Sequence, residues 1–464
     1  MELGKGELST CEISPLVHYW NTRTDCFESN LRTKNGLSAR VEDRKYVVFQ
    51  PDLGGWNNIR MSLEVTIVFA LITGRILVLP PPSILYLLSP NKKRLIDNKT
   101  GVEDYIDFKR ITMGRGVETM SMDEFIKEAA IPGKLLKEYP FIKDIETASI
   151  RPKELYAYLE QACYSRKWQP GKTFMAFNIS SSSKIFDSST QSEQSDRLRQ
   201  FAIPGHDRRM YSYNKDMDSH RAIYFSGSQK NRLLTLFYVY FFFMRPEEER
   251  LVKRFVRDRI RYHDPIYCAG GKIAEHMALK ADPAVSLPLQ TMQRTNYVAY
   301  HIRRGDFQHA WVKIPAEEIL QLTKSLIPGP LSERVVYIAT DETKNTSFFD
   351  PFRKAFKEVY FLADFKEDAS FALQHLPINH YGMVEQVICA SADIFIGTPL
   401  STFTGYITRM RGYMEPRVPG IYNRTYYYMK KHMYQLRDDP HFHVPFWPRE
   451  FREAFEPISE PDEV

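Results

Sequence analysis

The sequence predicts an α/β protein built on two doubly wound parallel sheets, and three observations carry that expectation. Residues 46–79 read strand, glycine-rich loop, helix, strand, which is a βαβ unit opening a parallel sheet. Between residues 298 and 411, strand-type and helical runs alternate four times. At 464 residues the chain is too long for one core. The expected division is an extension over 1–45, a first Rossmann-like domain over 46–245, a second over 246–425, and a tail over 426–464.

Taken in order, residues 1–44 lack sustained periodicity and read as an extension packed on the body. Tyr46–Phe49 is a short apolar run of strand type, followed by the turn-rich loop QPDLGGWNN at 50–58. Residues 61–72 are apolar almost all round, with Glu64 the only acid, so a buried helix is expected. A helix start near Ile59 aims its positive end at the Gly54-Gly55-Trp56-Asn57-Asn58 loop, where bare glycines let backbone amides approach an anion. A plain tight turn is the alternative for a glycine pair, and neither GxGxxG nor GxxxxGK[ST] is present. Glu64 reads more readily as a carboxylate paired with an arginine from elsewhere in the chain than as a base. Gly74 caps the helix, and residues 75–79 form the next strand, stopped by Pro80-Pro81-Pro82.

The middle is less legible. Residues 91–94 are a basic surface run, and the serine-rich stretches at 180–183 and 188–195 form a polar insertion. Residues 221–225 look like a strand. The apolar segment 233–244 ends at Arg245-Pro246, and a charged helix over 247–261 follows, where the change of domains is expected. The second half gives strands at 298–302, 335–339, 359–362 and 393–397, and helices at 315–327, 348–356, 382–390 and 401–411.

The stretch NYVAYHIRRGDF at 296–307 is the most informative. Alternation along a strand puts His301 and Arg303 on one face, with Ile302 and Arg304 on the other. An imidazole and a guanidinium then stand at the carboxyl end of a strand, where open α/β sheets bind ligands. The planar fork of Arg303 suits a diphosphate. A salt bridge to Asp306 at the loop start is the alternative. Asp306, Asp341 and the loop from Thr398 to Thr404 gather at the same strand ends. Ser401 and Thr402 offer hydroxyls and amides to a phosphate, although N-capping explains them nearly as well.

Composition narrows the classes. The chain is 43% hydrophobic and 26% charged, ordinary for a globular protein. A net charge of +6 with no basic block gives no reason to expect nucleic acid. The apolar run 233–244 is about 12 residues against the ~20 a bilayer span needs, so no membrane-spanning segment is expected, and the polar start MELGKGELST is no signal peptide. The five cysteines contain no CxxC. Cys11 and Cys26 suit a small closed loop, and the odd total leaves at least one thiol free or paired between chains. Sequons at Asn98, Asn178, Asn345 and Asn423 lean towards a secretory location.

In order, GGWNN–R, HIRRGDF, YIATDE and SADIFIGTPLSTFTGYITRMRGY resemble the GDP-fucose protein O-fucosyltransferase superfamily, over 46–79 and 297–413. The resemblance implies a GT-B-like fold, two Rossmann-like domains facing a cleft, the first on the acceptor side and the second binding the GDP-sugar. It implies inverting transfer of fucose from GDP-fucose to a hydroxyl, Ser/Thr of a protein or a glycan, in the lumen of the endoplasmic reticulum or Golgi. Arg303 matches the arginine that holds the β-phosphate, and His301 the histidine beside it. Glu385 falls where relatives read guanine, with an exposed helix carboxylate as the alternative. Ser401, Thr402 and Phe403 match the loop binding phosphate and packing near the base. Gly54, Gly55, Trp56, Asn57 and Asn58 match the loop that embraces diphosphate and fucose, and Asp341 joins the donor set. Some relatives carry a glutamate base where this chain has Gly54. Asn58 is the expected substitute, able to orient the acceptor but not to act as a strong base. No metal and no cofactor are expected, since arginine and helix amides can neutralise the leaving group. A transferase using another nucleotide sugar, or a silent GDP-sugar-binding protein, remains an alternative.

Overall fold

The structure, a computed structural model, describes residues 13–20, 40–52, 54–83, 100–114, 116–130, 152–165, 173–177, 209–227, 241–243, 246–285, 294–342, 345–429 and 455. The serine-rich and basic runs, Cys11, Cys26, the sequons at Asn98 and Asn178, and most of the expected tail lie outside the described residues. The chain divides into two compact units. One comprises 21–261 with 440–448, and the other comprises 1–20, 262–439 and 449–464.

The strands described are β1 (Tyr46–Phe49), β2 (Ile76–Leu79), β3 (Thr119–Ser121), β4 (Tyr164–Ser165), β5 (Thr173–Phe177), β6 (Arg209–Ser212), β7 (Ala222–Phe225), β8 (Phe241–Phe243), β9 (Val298–Ile302), β10 (Val335–Thr340), β11 (Glu358–Tyr360), β12 (Ile394–Gly397) and β13 (Thr425–Tyr427). In the unit holding 21–261, the order is β3-β2-β1-β7-β4, every pairing parallel. A smaller parallel sheet runs β6-β5-β8. Strand β1 is central and all four of its residues are buried, the signature of a strand covered on both faces. One face packs on Phe125, Leu155, Tyr158 and Leu159.

Helix Trp56–Thr73 links β1 to β2 and ends at Gly74 in the left-handed conformation (φ 66°), where a side chain is disfavoured. It begins at Trp56, earlier than the start expected near Ile59, so Asn57 and Asn58 lie in its first turn. No acid occupies that turn, which leaves its positive end unneutralised from within. Arg60 and Glu64, both fully buried, form an ion pair one turn apart; Glu64 is paired with an arginine as expected, but the arginine comes from the same helix and not from elsewhere in the chain. Arg75 precedes β2. Its guanidinium donates to the His220, Met217 and Tyr46 carbonyls and to Tyr213 Oη, tying loop ends that would otherwise bury bare acceptors.

The second sheet runs β11-β10-β9-β12-β13, again wholly parallel. Counted within its unit this is third-second-first-fourth-fifth, the doubly wound order whose direction reverses between β9 and β12. The expected pair of α/β sheets is therefore present. Boundaries shift slightly: the helices run Ala316–Thr323, Asp350–Ala355, Tyr381–Ser391 and Thr402–Met414. Helix Asp264–Ala281 was not anticipated, and residues 13–20 group with it, Tyr19 Oη lying 3.0 Å from Tyr267 Oη. Helix Pro246–Arg259, expected to open the second domain, is grouped with the first unit, the division falling after Arg261. Cys268 is disulfide-bonded, while Cys163 and Cys389 are buried free thiols. Within the described residues no helix is long and apolar enough to cross a membrane.

Candidate active site

In the unit containing β9, the candidate residues converge on the reversal point of the sheet. Strands β9 and β12 pair through Tyr300 and Ile396, so their carboxyl ends lie side by side. Thr398 stitches the two ends together. Its hydroxyl donates to the His301 carbonyl at 2.8 Å and accepts from the Arg303 amide at 2.9 Å. Leu400 adopts a positive φ of 61°, an uncommon and costly conformation for a branched side chain. It turns the chain sharply into helix Thr402–Met414. Ser401 is the N-cap residue, yet its side chain makes no cap hydrogen bond. Capping therefore does not explain Ser401.

His301 is buried, stacked on Phe403 at 4.4 Å between ring centroids, and its Nδ1 lies 2.7 Å from Thr404 Oγ1. Burial, helped by the nearby Arg303 charge, pushes its pKa down to about 3, so the imidazole is neutral. The only cation of this pair is Arg303. Gly397 makes room for the arrangement: a β-carbon there would stand 2.9 Å from Thr404 Oγ1 and collide with its methyl.

The two arginines part as the strand alternation requires. Arg303 pairs with Asp341 through Nη1 and with Asp306 through Nη2, the latter at 2.8 Å. The Asp306 bridge considered from sequence is thus present, and Asp341 is the counter-ion of Arg303 as well as the acceptor of the Arg304 amide at 2.7 Å. A diphosphate reaching this fork must displace or share those carboxylates. Arg304 instead lies over the Phe348 ring at 3.8 Å, with Glu342 at 3.5 Å.

Glu385 is half-buried and accepts from Tyr337 Oη at 3.3 Å. It is not the exposed carboxylate of the alternative reading. Burial is the main cause that pushes its pKa up to about 8, with Asp341 adding to the rise; the Tyr337 bond and Lys366 oppose it. The next residue, Gln386, donates to the Phe403 carbonyl at 3.2 Å, so helix Tyr381–Ser391 is fastened to the 398–404 loop. Gln386 carried no signal in the sequence, because an amide inside an apolar helix is silent until its partner is known.

In the other unit, Gly54, Gly55, Trp56, Asn57 and Asn58 form the turn into helix Trp56–Thr73. Trp56 is buried against Tyr105, ring centroids 4.4 Å apart, so its place is in the core of the loop. Asn57 is buried and Asn58 half-buried. The amide of Gly54 donates to Asp52 Oδ1 at 2.7 Å, and Gly227 N donates to the Gln50 side chain at 3.2 Å. This loop also stands at a reversal of strand order, between β1 and β7. Asp52 escaped the sequence reading because its packing against Gly54 and Asn58 is a matter of three dimensions.

Among the described residues no group of three or more His, Cys, Asp or Glu is placed to hold a metal ion. The Asp216-Met217-Asp218 tripeptide, missed in the sequence, has the Asp-x-Asp form, but its carboxylates diverge. Asp218 pairs with Lys45 at 2.9 Å and Asp216 lies 3.4 Å from His220 Nε2.

Two parallel sheets, each presenting polar loops where its strand order reverses, define a doubly wound α/β protein of the class that binds ligands beyond its strand ends. The chain belongs to the GDP-fucose protein O-fucosyltransferase family, whose model matches residues 46–414. Relatives include GDP-fucose protein O-fucosyltransferase 2 of Drosophila melanogaster, 28% identical over 127 residues, 25% of this chain and 24% of that protein. The protein of the same name from Plasmodium berghei (strain Anka) is 27% identical over 123 residues, 25% of this chain and 24% of the relative. These alignments span about a quarter of the curated relatives' length. Similar solved structures include the fucosyltransferase NodZ from Bradyrhizobium, at 14% identity, TM-score 0.37, and 79% and 93% of the two chains covered. POFUT1 in complex with GDP-fucose gives 13%, 0.38, 83% and 97%.

Proposed function

We propose that this protein is a fucosyltransferase that moves fucose from GDP-fucose to a hydroxyl acceptor, Ser or Thr of a protein chain. The observation that carries the reading is Arg303, a largely buried guanidinium at the reversal point of the second sheet, in the same unit as Ser401, whose side chain makes no cap hydrogen bond. In this reading Arg303 releases Asp306 and takes a β-phosphate oxygen, so positive charge meets the negative charge that develops on the leaving GDP. Ser401, Thr402 and the first amides of helix Thr402–Met414 hold the remaining phosphate oxygens. Glu385, once ionised, accepts from a guanine N–H, and Phe403 packs by the base against His301. The neutral His301 adds no second charge; it fixes Phe403 and the strand end.

In the unit holding 21–261, the Gly54–Asn58 loop offers backbone amides and the Asn58 side chain at the start of helix Trp56–Thr73, chemistry suited to an anionic or hydroxylated ligand group. The acceptor hydroxyl attacks the anomeric carbon directly, with inversion, and the leaving group is neutralised by arginine and helix amides without a metal. A secretory lumen, endoplasmic reticulum or Golgi, is supported by the Cys268 disulfide and by exposed sequon asparagines at Asn345 and Asn423.

A panel of GDP- and UDP-sugars tests the donor. GDP is expected to raise the melting temperature well above the UDP value, and GDP-fucose to be consumed fastest. Equal shifts with GDP and UDP would remove the guanine assignment.

A further inference from the structure

We propose that the cavity between the segments that follow β9 and β10 binds a small organic anion, a carboxylate or a phosphate monoester, separately from the fork of Arg303. Both segments lie within the unit holding 262–439, and the proposal does not depend on the donor reading. The strand alternation that aims Arg303 at one face sends Arg304 to the other. There Arg304 and Lys313 from the β9 side, with Phe348 and Pro351 from the β10 side, line a space of about 360 Å³. Small-molecule sites measure about 300–1,000 Å³. The space also stands beyond the carboxyl ends of two paired parallel strands, where such sheets take ligands.

The two cations are incompletely satisfied. Arg304 Nε is buried and makes no hydrogen bond among the described residues, the Glu342 carboxylate standing off at 3.5 Å. Its Nη1 reaches only the Ile314 carbonyl, at 3.4 Å. The guanidinium is held over the Phe348 ring at 3.8 Å, so little freedom is lost when its edge takes an oxyanion. Lys313 Nζ donates to the Gly305 carbonyl at 2.6 Å and meets no carboxylate among the described residues. An ammonium has three hydrogens, which leaves two for a ligand. Against this pair the described lining carries one acid, Glu317, which is exposed. Donors left without acceptors call for a ligand that brings oxygens. Pro315, Phe348 and Pro351 add an apolar wall. A bare inorganic ion would leave that wall uncovered, so the charge belongs to an organic body.

The test is calorimetry on the full chain, with citrate as the carboxylate probe and glycerol 3-phosphate as the phosphate probe. Each is titrated into wild type, Arg303→Ala, Arg304→Gln and Lys313→Gln. Binding is expected to survive Arg303→Ala and to weaken by about 10–100-fold in Arg304→Gln and in Lys313→Gln. The tighter of the two probes identifies the anionic group. Glu317→Gln should tighten binding by about two- to fivefold, because it removes an opposing charge, a gain that a merely structural cavity does not show. Lys313 is half-buried rather than in the core, so Lys313→Gln decides the matter should Arg304→Gln fail to fold. No binding of either probe at millimolar concentration overturns the assignment. Binding that Arg303→Ala abolishes and Lys313→Gln leaves intact overturns it too.

Discussion

Replacing Arg303 and Arg304 one at a time separates the two faces of β9. Arg303→Ala removes both ends of a fork that holds Asp306 at 2.8 Å and Asp341 beside it. Loss of a preorganised donor to a developing anion costs about 10²–10³ in turnover, roughly 3–4 kcal/mol. The same change strips Asp341 of its charged partner. With Arg303 16% and Asp341 26% exposed, that pair lies between an exposed bridge and a buried one, so about 1–3 kcal/mol of stability should go with it. Arg303→Ala combined with Asp341→Asn should recover part of the stability and none of the turnover. Arg303→Lys keeps one charge but cannot span both carboxylates, and should stay badly impaired. Arg304→Ala loses the contact over Phe348, about 0.5–2 kcal/mol, with much less effect on turnover. The Arg304 amide bond to Asp341 is backbone and survives. The assays are thermal melting, GDP affinity by calorimetry, and GDP release from GDP-fucose. Near-normal release by a folded Arg303→Ala variant would refute the placing of catalysis at this strand end.

Glu385, with its pKa raised from an ordinary 4.5 to about 8, is about one-tenth ionised at pH 7. GDP affinity should climb by up to about tenfold from pH 7 to 9, and Glu385→Gln should flatten that profile. The folded state holds this proton more tightly than the unfolded chain. Its contribution to stability is full below pH 4.5 and is lost as pH rises through about 8, so melting of Glu385→Gln should vary less across that window. Gly397→Ala should push Thr404 off His301, lowering the melting temperature at an overpacking cost of about 1–3 kcal/mol and weakening GDP binding in parallel. Gly305→Ala would drive a methyl into Asp341 and should loosen the Arg303 pair, read as slower GDP release. Treatment with EDTA should leave release unchanged; restoration by Mn²⁺ alone would overturn the metal-free reading.

Much of the architecture was already present in the order of residues. Short runs rich in apolar and aromatic residues such as Tyr46–Phe49 and Val298–Ile302, bounded by turn or charged residues, read as strands covered on both faces, and period-two alternation separates Arg303 from Arg304. Local rules also placed Gly74 at a helix end. Helix Asp264–Ala281 was illegible for the opposite reason. Its Gly270-Gly271 pair reads as a break, yet a β-carbon on Gly270 would stand 2.6 Å from the Val387 side chain, so the glycine serves a helix contact distant in sequence. Only the tertiary structure decided the state of the site. Neutral His301, protonated Glu385 and the occupied fork of Arg303 follow from burial and from partners such as Asp341, Thr404 and Tyr337, which are far away along the chain. Strand pattern is a local property, fixed by which side chains alternate. Charge state and the closeness of Asp52 to Asn58 depend on desolvation and on neighbours, and those exist only once the sheets have formed.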